Sequence, residues 1–288
     1  MKTLVLGSNG QLGQALADTT PNATEFIGVD LPELDITNAD ALLKLCREIR
    51  PAVIINAAAY TAVDQAETEI ELATAVNVDG PANIAAAASD VGARLIHIST
   101  DFVFDGEGTT PYKADAATNP LSVYGRTKRD GELAVLAKLP GEAVVVRTAW
   151  LYSKTGSNFV KTMLRLMGER DELSVVADQI GTPTWANSLA STVWAIADVP
   201  ALGGIFHWTD AGQASWQEFA AAIQEEALSL GLLDKTIPIH AIGTEDYPTV
   251  ATRPRYSVLD CSATCDALDL QPAPWRVNLR QMLKEMKT

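Results

Sequence analysis

Cysteine is scarce in this chain. Cys46, Cys261 and Cys265 are the only three, with no Cys-x-x-Cys pair and no histidine clustered beside them. That excludes a disulfide framework, a zinc ribbon and a thiol redox motif, and it implies free thiols in a reducing compartment. Histidine is equally rare, and both His97 and His207 sit inside apolar runs, where each reads as a core residue. No apolar run approaches the roughly 20 residues a membrane span needs. The stretch before Gly7 is too short for a secretory signal, so a soluble, cytoplasmic protein with no membrane partner is expected. Positive charge is in deficit, with Lys+Arg 22 against Asp+Glu 36 and a net charge of -14. This argues against nucleic acid as a partner, but one arginine or one helix N-terminus still suffices for a small anion. Low-complexity tracts are absent and 47% of residues are hydrophobic, which excludes disorder.

What is present is a regular alternation. Lys2 to Leu6 is a short apolar run that stops at Gly7-Ser8-Asn9-Gly10-Gln11-Leu12-Gly13, and helix-compatible residues follow. Strand, glycine turn and helix in that order form a dinucleotide-binding fingerprint, in which bare backbone approaches a pyrophosphate at the positive end of a helix. Glu25 to Asp30 reads as a second strand. Its terminal carboxylate either accepts from a ribose 2'-hydroxyl, favouring NADH over NADPH, or merely ends the strand. Asp35 also has two readings, adenine contact or turn ordering. Val53-Ile54-Ile55 delivers Asn56-Ala57-Ala58-Ala59-Tyr60, small residues suited to a wall against a flat cofactor. Asn77, polar among apolar neighbours, is either functional or satisfies local backbone.

The most informative stretch is Tyr124-Gly125-Arg126-Thr127-Lys128. Residues four apart share a helix face, so a phenol stands beside an ammonium, and a nearby cation favours the phenolate. Arg94 to Ile98 is a strand that brings Ser99-Thr100-Asp101-Phe102 to the same sheet edge. A hydroxyl from Thr100 (or Ser99) can give a second hydrogen bond to the oxygen of a carbonyl becoming an alcohol. Val144-Val145-Val146 continues the alternation, which predicts an α/β fold with a parallel, doubly wound sheet. Residues 1–150 are expected to form the dinucleotide-binding domain, rejoined by 172–200. Residues 151–171 and 201–288 are expected to form a smaller substrate-binding domain. Arg253 is a candidate for a substrate diphosphate, or else a surface arginine in a proline turn. Trp150 is a candidate for the substrate pocket, or else core.

Taken together, Gly7-x-x-Gly10-Gln11-Leu12-Gly13, Asn56 to Asp64, Ser99 to Gly106, Tyr124-Gly125-x-Thr127-Lys128 and Arg147 to Tyr152 resemble the extended short-chain dehydrogenases/reductases. The likeness is strongest to the branch that reduces dTDP-4-keto-6-deoxysugars, and it extends over nearly the whole chain. It implies a Rossmann-type fold and hydride transfer from NADPH or NADH to the sugar C4. Tyr124 would be the acid, Lys128 would lower its pKa and hold the nicotinamide ribose, and Thr100 would orient the C4 oxygen. Asp101, Phe102 and Tyr124 would meet the sugar, and the glycine turn, Asp30, Asp35, Ala57 to Tyr60 and Asn77 would meet the cofactor. Some relatives dimerise through magnesium held by glutamates, but the matching positions here are Ala15 and Asn187. Without those carboxylates no structural metal is expected, and the chain is expected to be a monomer or weak homodimer. Two other readings share the scaffold: an epimerase or dehydratase of nucleotide sugars, and a non-catalytic subunit similar to the regulatory beta subunit of methionine adenosyltransferase.

Overall fold

A computed structural model describes residues 1–287. Five of the apolar runs form parallel strands: β1 (Lys2–Leu6), β2 (Glu25–Val29), β3 (Val53–Asn56), β4 (Arg94–Thr100) and β5 (Val144–Thr148). With a sixth strand, Gly204–His207, they make one sheet in which β1 lies between β2 and β3, followed by β4, β5 and the sixth. Chain direction across the sheet reverses beside β1, and ligands of such sheets collect at the carboxyl ends of the strands there. Register aligns those ends: Leu6 pairs with Val29 and with Asn56, Asn56 with His97, and Thr100 with Thr148.

Alternate side chains leave the sheet on opposite faces. Val5, Val53, Ile55, Ile96 and Val146 pack on one face against Leu12, Leu16 and the helix Ala186–Ala197. Leu4, Leu6, Ile54, Leu95 and Val145 pack on the other, against the helices Ala39–Ile49 and Gly80–Val91 and Val135 of the helix Val123–Lys138. The strands are apolar on both sides because both sides are covered. A separate core of Tyr152, Val160, Met167, Phe219, Ile223, Leu279 and Leu283 holds the carboxyl-terminal half together.

Two expectations about the chain's course need correction. Leu173–Val176 does not rejoin the main sheet; it pairs in parallel with Ile239–Ile242 in a two-stranded sheet of its own. The strand that does join is Gly204–His207, in register with Val144 to Arg147 and drawn from the stretch assigned to substrate binding. A short apolar strand carries no mark of its partner, so pairing is decided by tertiary packing. From the rejoining stretch 172–200 it is the helix Ala186–Ala197 that returns, with the Trp194 indole donating to the Leu16 carbonyl at 3.1 Å. Ala15 is buried in that seam.

Candidate active site

The helix Val123–Lys138 starts where local chemistry dictates. The Ser122 hydroxyl accepts from the Gly125 amide at 3.1 Å, and the Glu67 carboxylate accepts from the Val123 amide at 2.7 Å, so two first-turn donors are satisfied. Gly125 lets the helix dock on the turn after β4, because a Cβ there would stand 2.2 Å from the Phe102 carbonyl oxygen. The Phe102 ring meets Tyr124 edge-on at 5.6 Å. On the other flank the buried Asn77 side chain receives the Tyr60 amide at 2.9 Å and donates to the Tyr60 carbonyl and the Thr127 hydroxyl, each at 3.1 Å.

Three helix residues spaced by four meet three consecutive residues at the end of β4. The Tyr124 phenol faces the Thr100 hydroxyl and the Asp101 carboxylate. The buried Lys128 ammonium donates to the Ile98 carbonyl at 2.7 Å, and the Ser99 hydroxyl donates to the Glu132 carboxylate. Thr100 also donates to Asp101 at 3.0 Å and accepts from the Phe102 amide at 3.2 Å.

Electrostatics here differ from the simple tyrosine–lysine expectation. Burial pushes the Tyr124 phenol up to about 12; the Thr100 hydrogen bond opposes this and the Asp101 charge adds to it. Burial also pulls Lys128 down to about 8, against the attraction of Glu132. Desolvation sets the direction of both shifts, and the ammonium rests on the Ile98 backbone carbonyl. Burial raises Asp101 to about 6, with neighbouring hydrogen bonds opposing.

The glycine turn is shaped for a close-approaching anion. Gly7 takes φ +79°, and a Cβ there would lie 2.5 Å from the Ala58 nitrogen. Gly10 is the N-cap of the helix Gln11–Asp18, whose first turn carries neither a capping side chain nor an acid, so no side chain caps its amides. That geometry fits a dinucleotide pyrophosphate. Gly13 packs the helix on the turn, Leu12 is buried in the core, and only their backbone is placed to meet a ligand. Asp30 accepts from the Asn9 amide at 2.8 Å, which puts its carboxylate at the glycine turn. Ala57, Ala58 and Ala59 follow β3 half-buried along this edge.

Several proposed contacts are already committed to the protein itself. The side-chain carbonyl and NH2 of Asn77 serve Tyr60 and Thr127, so its side chain braces the Tyr60 turn against the tyrosine helix. The Gln11 side-chain Oε1 accepts from Ser153 at 3.1 Å and from Asn158 at 2.9 Å, tying the glycine turn to the carboxyl-terminal half. Asp35 takes the turn-ordering alternative with one oxygen, accepting from the Thr37 amide and hydroxyl. The Tyr60 hydroxyl donates to Glu69 at 2.8 Å. Among the histidines, Nδ1 of buried His97 accepts from Asn56 at 3.0 Å, and buried His207 bonds the Tyr112 carbonyl at 3.1 Å.

A cleft of about 900 Å³ opens in the carboxyl-terminal half, lined among others by Phe159, Gln179, Trp216, Tyr247 and Arg253. Arg253 is held by both oxygens of Asp64, at 3.1 and 2.7 Å, and so joins this cleft to the segment after β3. Trp150 does not line the cleft; it stacks at 3.5 Å on Trp216, which does. Sequence reasoning missed Tyr247 and Phe159 as cleft walls, and it missed Glu132. The only trace of Glu132 in the sequence is a spacing of four from Lys128.

This sheet, its glycine turn and the tyrosine–lysine helix define a dinucleotide-dependent short-chain dehydrogenase/reductase of the extended type. A family model described as RmlD substrate binding domain matches residues 1–288. The chain belongs to that family. A dTDP-4-dehydrorhamnose reductase of Aggregatibacter actinomycetemcomitans is 42% identical over 288 residues, covering 98% of each chain. A solved dTDP-4-dehydrorhamnose reductase from Clostridium acetobutylicum superposes with TM-score 0.94 at 41% identity over 100% of both chains. Another, from Bacillus anthracis in complex with NADP, gives 0.93 at 38% identity over 99% of each.

Proposed function

We propose that this chain reduces the C4 ketone of dTDP-4-dehydro-L-rhamnose to give dTDP-L-rhamnose, with NADPH or NADH as reductant. The observation that carries the reading is the meeting of Tyr124, Thr100 and Lys128 at the carboxyl end of β4, beside a glycine turn whose amides no side chain caps. Relatives of full length and about 40% identity carry this activity in their names.

In this reading the backbone of Gly7 to Gly13, Asp30 and Ala57 to Ala59 would hold the dinucleotide, which when bound would supply a hydride. Tyr124 stays fully protonated at neutral pH, which is the form a reductase needs. The ketone oxygen becomes an alkoxide as hydride arrives, and an alkoxide is basic enough to take the proton from a phenol of high pKa. Thr100, whose hydroxyl proton is given to Asp101 in this structure, would turn it to that oxygen as a second hydrogen bond. The Lys128 ammonium then stabilises the tyrosinate left behind. Arg253, at the wall of the cleft, offers paired donors to a diphosphate. A cytoplasmic setting, with the chain acting as a monomer or weak homodimer, goes with this reading.

The test is to follow the absorbance of NADPH and NADH with a dTDP-4-keto-6-deoxysugar and identify the product by NMR. Stoichiometric loss of reduced cofactor with formation of the 4-hydroxy sugar is expected. Turnover without net cofactor consumption would point to an epimerase or dehydratase instead.

A further inference from the structure

The catalytic helix carries a third residue in line with Tyr124 and Lys128. Glu132 lies eight residues beyond the tyrosine and is buried, at 2% exposure. Its carboxylate receives the Arg147 guanidinium through two bonds, Nε to Oε1 at 2.9 Å and Nη2 to Oε2 at 2.7 Å, and it receives the Ser99 hydroxyl as well. Arg147 comes from β5, is equally buried, and lies 5.2 Å from the Phe104 ring centroid. A buried ion pair of this kind is a poor source of stability, since desolvating both charges offsets most of their attraction. Its position suggests another purpose.

We propose that Glu132, clamped by Arg147, is a positioning residue that keeps the Lys128 ammonium charged inside the protein and fixes Ser99, and through it Thr100, under Tyr124. This rests on the reductase reading, because the ammonium matters only if Tyr124 gives up a proton.

The charges around Lys128 support it. From its own helix come neutral Tyr124 and anionic Glu132. From β4 comes His97, which burial keeps well below its ordinary pKa and therefore neutral. The turn after β4 brings Asp101, which faces Tyr124. From β5 comes Arg147, whose charge Glu132 compensates. The helix Gly80–Val91 has one acid, Asp90, and it is bound to Arg47. Asp79, in the turn before that helix, is exposed. Glu132 is thus the counter-charge that offsets the burial of Lys128. Without it Lys128 loses its counter-charge and the buried Arg147 guanidinium loses its partner.

The test is a 13C-lysine NMR titration of the cofactor-free chain, with Lys128 assigned by its loss in Lys128→Met, alongside pH profiles of kcat/KM. In Glu132→Gln the Lys128 resonance and the alkaline limb of activity are expected to move at least about one pH unit lower, and Glu132→Asp is expected to restore part of the difference. If Glu132→Gln does not fold because Arg147 is left unpaired, Glu132→Gln/Arg147→Gln removes both charges of the pair, and because Glu132 is the charge that acts on Lys128 it is expected to move both in the same direction. A lower melting temperature with both titrations unmoved would overturn the proposal and leave Glu132 a structural residue. Because the NMR readout needs no turnover, an inactive wild-type chain would count against the reductase reading alone.

Discussion

At the scale of single residues, the pairing of Tyr124 with Lys128 was legible because four-residue spacing forces two side chains onto one helix face. Their protonation was not legible, because burial is set by elements far away in the sequence. Burial leaves the phenol harder to ionise than in water, so proton transfer must be driven by the developing alkoxide. Tyr124→Phe removes the proton and little else, since Phe102 meets the ring by its edge and the ring remains. The variant is expected to bind NADPH as the parent does and to lose on the order of 10²-fold or more in kcat. Fluorescence titration of the cofactor and steady-state kinetics check the two halves, and near-normal kcat would remove Tyr124 from the acid's role.

Elements were legible wherever their signal is local. The buried strands read as continuous apolar runs, and Asn38 accepts from the Ala41 amide as a helix N-cap of its residue type should. Other features leave no periodic trace, such as the π-helical turn Ala75–Asp79 and the pairing of Leu173–Val176 with Ile239–Ile242. That π turn has a consequence at the helix facing it. A Cβ on Gly131 would stand 2.1 Å from the Asn77 carbonyl oxygen, and backbone cannot swing aside as a long side chain can. Glycine to alanine inside a helix ordinarily gains about 0.5–1 kcal/mol. Gly168→Ala, where nothing lies within 4 Å, should show that gain. Gly131→Ala should instead lose roughly 1–3 kcal/mol to overpacking, with a fall in kcat as the Tyr124 helix is displaced. Urea unfolding of the two variants compares them directly, and a stabilised Gly131→Ala would show that the helix is not seated on the Asn77 turn.

At the scale of the molecule, the Asp64–Arg253 pair is one of several polar links between the amino-terminal sheet and the carboxyl-terminal half. If Arg253 also holds the substrate diphosphate, Arg253→Met should raise KM for the nucleotide sugar by roughly tenfold or more and leave NADPH affinity unchanged. Unchanged KM would return the arginine to a tie between halves. No helix among the described residues is long and apolar enough to cross a membrane.

Stability against pH is also a property of the whole, because it sums groups that never touch. Burial raises Asp101 and Asp210 to about 6 each, lowers His207 to about 3 and holds His97 well below its ordinary value. Between about pH 4 and 6 the native chain keeps protons on both aspartates that the unfolded chain has released, so each makes stability fall as pH rises. The two histidines act in the opposite sense. They are neutral in the native chain while the unfolded chain still binds protons, so each makes stability rise with pH. These four contributions largely cancel. Asp210→Asn removes one member of the first pair and keeps an oxygen able to accept from the Trp185 amide, which now bonds Asp210 at 3.1 Å. Its stability should therefore climb more steeply with pH across this window than the parent's, by up to about 1.4 kcal/mol per pH unit. Urea midpoints measured from about pH 4.5 to about pH 6 give the two slopes, and parallel slopes would mean that Asp210 is ionised throughout this range in the native chain.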